Sequence, residues 1–142
     1  MKKLKIGIIG YGKMGKIRHK AIEKSGQAEV IVIFDPNPIV PVNHKIKVAS
    51  SAEKVLNQEI DAVFICTPNN FIKPLTVSAL QKGIHVFAEK PPGINLEEAL
   101  EMQSVEQRLN DKVLMFGFNH RHHGSVAKMK EIIEEESLGK IL

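Results

Sequence analysis

Tryptophan is absent, tyrosine occurs once, and aromatic residues make up only 5% of the chain. Lys/Arg blocks flanked by aromatics are missing as well, so nucleic acid is not an expected partner. The single cysteine, Cys66, has no second thiol to pair with, which fits a reducing, cytoplasmic setting. No apolar run approaches the ~20 residues of a membrane span, so no membrane partner is expected. The opening Met1-Lys2-Lys3 is basic, but glycines and Tyr11 interrupt the apolar stretch after it and no small-residue cleavage site follows, which argues against a secretory signal. Charge of one sign is not in large excess. Twenty Lys and Arg against 16 Asp and Glu leave a net charge of +4, a mild bias toward an anionic ligand. With 43% hydrophobic and 25% charged residues, disorder, collagen and coiled coil are excluded. A chain of 142 residues matches a prior of ~150 per domain. At that size it buries ~70% of its unfolded surface.

Apolar, β-rich runs alternate with amphipathic ones. Strands are predicted at residues 6–9, 30–34, 46–48, 62–66, 85–88 and 113–116, and the run from Val30 to Phe34 is β-branched except for its last residue. Between them, helices are predicted over about 13–25, after the capping-box pair Ser50 and Glu53, along the face Ile72, Leu75, Ala79 and Leu80 up to Gly83, and after Asn95 with the face Leu96, Ala99, Leu100 and Met102. A final helix carries Val126, Met129, Ile132 and Ile133 and is expected to end near Gly139, with Ile141-Leu142 opening another strand. Pro36, Pro38 and Pro41 mark a turn-rich segment after the second strand. Strands apolar throughout and separated by helices imply an α/β fold, a doubly wound parallel sheet with helices on both faces.

Gly10-Tyr11-Gly12-Lys13-Met14-Gly15 is a complete G-x-G-x-x-G between a buried strand and a helix, the setting that the dinucleotide fingerprint requires. Gly10 permits the tight turn, Gly12 lets backbone approach a pyrophosphate, and Gly15 lets the helix pack on the strand. The helix N-terminus then offers free N–H groups and partial positive charge. A purely structural glycine turn, or another nucleotide such as S-adenosylmethionine, is the competing reading. Asp35 weighs against the latter. It ends the second strand 20 residues beyond Gly15, close to the spacing of the ribose-binding acid. A carboxylate there accepts ribose hydroxyls and repels a 2′-phosphate, and no Arg or Lys follows it among Pro36, Asn37 and Pro38. NAD is therefore expected over NADP. Asp before Pro also starts turns, and both roles are compatible.

Three further segments follow predicted strands: Cys66-Thr67-Pro68-Asn69, then Gly83 through Ala88 running into Glu89-Lys90-Pro91, and Gly117-Phe118-Asn119-His120-Arg121. With the glycine turn, they resemble the Gfo/Idh/MocA family of oxidoreductases over essentially the whole chain, as that family's N-terminal Rossmann domain. Glu-Lys-Pro at a strand end is the most specific piece. The resemblance implies that Cys66, Thr67, Pro68 and Asn69 line the cofactor near the second ribose and nicotinamide. It places Glu89 and Lys90 beside the nicotinamide, with Lys90 reaching cofactor and substrate, and Asn119 and Arg121 at the substrate cleft. Lys90 has a chemical rationale too, since an ammonium stabilises an alkoxide-like oxygen or relays its proton. Ile72 stands where family members often carry a His. The family's second α/β domain, which supplies most substrate contacts and the usual Asp/His base, is expected to be missing beyond Leu142. Residues 1–122 then form the dinucleotide-binding domain, and 123–142 lead toward the missing one.

His120, His122 and His123 are too close in sequence to converge on one ion, so no metal is expected. His85 reads as a satisfied structural histidine, and Cys66 as a small buried residue with no basic neighbour to activate it. Glu131, Glu134, Glu135 and Glu136 read as a solvated face. The apolar side of the same helix is expected to lie exposed and to promote self-association. The expected activity is hydride transfer between a nicotinamide cofactor and a secondary alcohol of a sugar, cyclitol or sugar nucleotide, with this chain alone inactive or slow. The alternative is a stand-alone dinucleotide-binding module or sensor without chemistry.

Overall fold

In the computed structural model, residues 2–39 and 44–139 are described. Six strands form one sheet: β1 (Leu4–Ile9), β2 (Ala28–Phe34), β3 (Lys47–Val48), β4 (Ala62–Ile65), β5 (His85–Ala88) and β6 (Leu114–Phe116). The order is β3-β2-β1-β4-β5-β6 and every pairing is parallel. Five α-helices accompany them: α1 (Lys13–Ser25), α2 (Ala52–Leu56), α3 (Asn69–Gln81), α4 (Leu96–Leu109) and α5 (Gly124–Glu134), with a 3-10 turn at Asn119–His122. Strand order reverses direction beside β1, which opens a crevice at the carboxyl ends of β1 and β4.

The alternation along each strand divides the core in two. Ile6 and Ile8 of β1 join Val30, Ile33, Tyr11 and Ile22 on the α1 side. Ile9, Val32, Val63 and Val86 face the other way, with side chains of α2, α3 and α4. Ile8, Ile33, Val63 and Ile65 have no exposed surface at all. Such strands are apolar on both faces because helices cover both.

Several boundaries differ from the sequence expectation. The cap of α2 is Ser51, whose hydroxyl accepts the Lys54 N–H, and not Ser50. Asn95 caps α4 as expected, accepting the Glu98 N–H. Leu96 and Leu100 are 73% and 53% exposed, so the core stripe of α4 is Met102 and Val105. Helix periodicity alone did not separate two apolar stripes on one helix. The other stripe faces an open groove bordered by Leu114 and Phe116 of the edge strand β6.

Helix α5 ends at Glu134, short of Gly139. Carboxylates at a helix C-terminus oppose the macrodipole, and the acidic run Glu134 to Glu136 sits there with no basic residue in the last turn. Glu136 then takes a positive φ of 50°. No residue of α5 is buried, and Met129 and Ile133 are 55% and 46% exposed. Pro41 and the strand start expected at Ile141-Leu142 lie outside the described residues. No helix among the described residues is long and apolar enough to cross a membrane.

Met102 and Leu100 lie two residues apart on opposite sides of this assignment. Met102→Ala should lower the free energy of unfolding in urea by about 2–5 kcal/mol, as core truncations do. Leu100→Ala should change it by no more than about 0.5 kcal/mol, the usual size for exposed positions.

Candidate dinucleotide and active site

The glycine turn is built by close backbone approach. Gly10 has φ +89°, and a Cβ there would stand 2.5 Å from the Cys66 carbonyl oxygen of the neighbouring strand end. A Cβ on Gly15 would collide with the Gly10 carbonyl, so only glycine lets α1 seat this low on β1. Gly12 differs from both. Nothing among the described residues lies within 4 Å of its Cβ position, so no packing between them accounts for a glycine there. It is also the N-cap of α1, with no side chain capping the helix and no acidic residue in the first turn. Lys13 and Lys16 are exposed beside it and Met14 is half-buried. The N–H groups of this helix start therefore face solvent with their positive end open to an anion.

Tyr11 is buried, and its hydroxyl shares a 2.5 Å hydrogen bond with His19 Nδ1. His19 Nε2 lies 3.3 Å from Glu23 Oε1 one turn on. Burial, and then the Glu23 charge, push the Tyr11 hydroxyl above its ordinary pKa, so it stays protonated. This pairing braces the turn from beneath.

Asp35 follows β2 and initiates an Asx turn. Asn37 donates both its backbone N–H (2.9 Å) and its Nδ2 (3.0 Å) to the same oxygen, Oδ1. The other oxygen, Oδ2, has no hydrogen-bond partner among the described residues. Asp35, Tyr11, Gly12, Lys16 and Pro38 line one cleft of about 300 Å³. The fold thus brings together the turn and the acid that sequence reading paired by spacing. It also supplies a basic neighbour, Lys16, that reading onward from Asp35 missed. Lys16 reaches the cleft from α1, across the sheet edge.

The remaining segments extend the sheet beyond its strands. Gly10 N–H bonds to the Phe34 carbonyl, Cys66 to Ile9, Glu89 to Ile65 and Gly117 to Ala88, at 2.7–2.9 Å. Their side chains therefore emerge along one carboxyl edge. Thr67 follows Cys66, and its Oγ1 is buried with no partner among the described residues. Asn69, the first residue of α3, and Pro91 line a common cleft of about 480 Å³, and Pro68 is exposed next to it. Lys90 is exposed, with no ion pair among the described residues, and the bond to Pro91 is cis.

Glu89 is only 7% exposed. Its Oε1 accepts a 2.6 Å bond from Arg18 Nε, and Arg18 Nη2 donates to Asn119 Oδ1 at 3.1 Å. Arg18 was not singled out from the sequence. The available signal was periodicity, since Gly15, Arg18, His19 and Ile22 share the inward side of α1. Burial and the Glu89 charge raise the Cys66 thiol to about 12, outweighing the lowering effect of Arg18. Cys66 does have a basic neighbour, contrary to expectation, and is nonetheless held as an unreactive thiol.

Several other residues singled out from the sequence have ordinary structural surroundings. His85 Nδ1 accepts the Val113 N–H at 3.1 Å. Ile72, where family members often have His, is fully buried in the core. His120 and His123 stack at 5.1 Å, Arg121 is exposed between them, and no group of three metal-binding side chains occurs among the described residues.

The donor set fits a dinucleotide. The uncapped start of α1 and the open space at Gly12 suit a pyrophosphate, the unused Asp35 oxygen suits a ribose hydroxyl, and the unpartnered Thr67 hydroxyl awaits a polar group.

Comparison with known proteins agrees with this geometry. Residues 4–118 match the family described as "Oxidoreductase family, NAD-binding Rossmann fold". The chain is 33% identical to glucose-6-phosphate 3-dehydrogenase of Bacillus subtilis over 97% of its own length and 40% of that protein. It is 29% identical to myo-inositol 2-dehydrogenase of Thermotoga maritima, covering 96% of the chain and 42% of the relative. Among solved structures, scyllo-inositol dehydrogenase of Lactobacillus casei with bound NAD(H) and scyllo-inositol superposes with a TM-score of 0.85 at 29% identity, over 97% of this chain and 43% of that one. The chain thus spans about two-fifths of the length of the relatives it matches. Fold, glycine turn and match over residues 4–118 agree: the chain belongs to the Gfo/Idh/MocA oxidoreductase family and forms its NAD-binding Rossmann domain.

Proposed function

We infer that this domain binds NAD in preference to NADP and serves an enzyme that oxidises a secondary alcohol of a sugar, cyclitol or sugar nucleotide. The observation that carries the reading is the cleft joining Gly12 to Asp35, because it combines an open phosphate cradle with a carboxylate oxygen free for a ribose hydroxyl. A 2′-phosphate beside that carboxylate meets repulsion, which Lys16 on the same cleft offsets in part. When bound, NAD supplies a nicotinamide ring that accepts hydride. Tyr11 and His19 brace the turn beneath the phosphates, and Thr67, Pro68 and Asn69 line the path from ribose to ring. Lys90, exposed at the end of β5, holds negative charge or a proton at the reacting oxygen. Asn119 and Arg121 border the substrate. The polyol-directed names of the relatives support this substrate class.

The relatives are more than twice this length, and substrate contacts from outside these 142 residues are expected to complete the reaction, so the 142-residue chain alone turns over slowly or not at all. The exposed apolar side of α5 promotes self-association of the isolated chain. The single, half-buried thiol suits a reducing cytoplasm.

Calorimetric titration should show NADH binding and a weaker response to NADPH; no binding of either, or preference for NADPH, would sink the cofactor assignment. Asp35→Ala should weaken NADH about tenfold or more, the cost of a charged hydrogen bond, and NADPH less. Gly12→Val should abolish NADH binding yet leave the melting temperature within a few degrees, because a Cβ at that position meets no atom of the described residues. Sedimentation of the isolated chain should show mass rising with concentration, and Ile133→Lys should suppress that rise.

A further inference from the structure

The Arg18–Glu89 pair is the most deeply placed charge pair among the described residues, with side chains 14% and 10% exposed. It is largely enclosed. The Arg18 guanidinium lies 4.9 Å over the Phe87 ring, which stacks on Phe64 at 4.7 Å. A Cβ on Gly117 would stand 2.9 Å from Glu89 Oε2 and 3.0 Å from Arg18 Nη2, so the chain leaving β6 closes directly over the pair. An isolated surface ion pair contributes little. This one is desolvated, and removing one partner leaves the other charge buried without compensation.

Its connectivity matters more than its strength. Arg18 belongs to the helix whose N-terminus forms the phosphate cradle. Through Nε it holds Glu89, the residue before Lys90, and through Nη2 it holds Asn119 at the start of the 3-10 turn. A planar guanidinium satisfies both acceptors at once, which an ammonium cannot do in that geometry. The segments that follow β5 and β6 are thereby both pinned to the cofactor helix.

We propose that Arg18 is a positioning residue, which through Glu89 and Asn119 holds Lys90 and the 119–122 turn at the nicotinamide end of the dinucleotide site. The inference rests on the dinucleotide reading above. Arg18 itself touches neither the glycine turn's open face nor the Asp35 cleft. Its loss therefore loosens one end of the site and spares the other.

ADP-ribose carries the adenosine, pyrophosphate and second ribose of NADH but lacks the nicotinamide, so the ratio of the two affinities reports on that end alone. The full 142-residue chain would be titrated with both ligands as wild type, Arg18→Met, Arg18→Lys and Asn119→Ala. Arg18→Met should cut NADH affinity about tenfold, the loss expected of charged hydrogen bonds, while ADP-ribose affinity stays within about twofold. Arg18→Lys should fall between, because one of the two bonds is restored. Asn119→Ala removes only the exposed arm, keeps the buried pair, and should shift the ratio by about threefold, so the idea stays testable if Arg18→Met fails to fold. An equal fall for both ligands, an unchanged ratio in all variants, or equal wild-type affinity for the two ligands would overturn the positioning role. A wild-type chain that binds neither ligand would instead overturn the dinucleotide reading itself.

Discussion

The structure depends on how closely three pieces of backbone meet at the end of β1. Gly10 turns away from the strand against the Cys66 carbonyl, and Gly15 lets α1 rest on the Gly10 carbonyl. A methyl group on Gly15 would push the helix away from the strand, and one on Gly10 would push the turn away from the Cys66 carbonyl. The helix would then no longer point its first N–H groups at the carboxyl edge of the sheet. Because a parallel strand needs a crossover before its neighbour can pair, every chemically active segment leaves the sheet at that same edge. The steric fit at two glycines thus fixes the direction of the helix dipole relative to everything that follows β2, β4, β5 and β6.

Above this frame, some polar groups pair within the chain and others are left open. Glu89, Arg18, Tyr11 and His19 are engaged with one another beneath the edge. One oxygen of Asp35, the Thr67 hydroxyl and the start of α1 are not. The first group gives rigidity and the second is what a ligand can use. The same neighbourhood explains why Cys66 stays a protonated thiol: burial and a nearby carboxylate outweigh the guanidinium beside it. A part-buried ion pair next to an exposed lysine is a suitable support for the role proposed for Lys90.

Much of this was readable in one dimension. The glycine spacing, Asp35 at its distance from Gly15, and Glu89-Lys90-Pro91 after an apolar strand are local patterns, each dictated by backbone sterics or by the end of a strand. Strand β5 fell where its apolar run did, and Asn95 capped its helix as an Asn in that position does. Misplaced details share one cause. Ser50 and Ser51 are equivalent by composition, and only backbone geometry selects the cap. Leu100 and Met102 are both apolar on α4, and only the sheet decides which is covered. Lys16 was invisible as a neighbour of Asp35 because a helix and a strand lie between them.

By itself the sequence determined the class of fold, the glycine turn after the first strand, the acid at its spacing from that turn, and the family. Each rests on interactions between residues near in the chain or on periodicity within one element, and such information survives without coordinates. Only the tertiary structure decided that Arg18 joins Glu89 to Asn119, residues 71 and 101 positions away along the chain. It also decided that a Cβ at Gly12 would meet nothing among the described residues, and which side of α4 the core takes. The physical reason is the same in each case. Desolvation, steric clearance and long-range hydrogen bonds depend on which surfaces meet, and that is settled when helices pack on the twisted sheet.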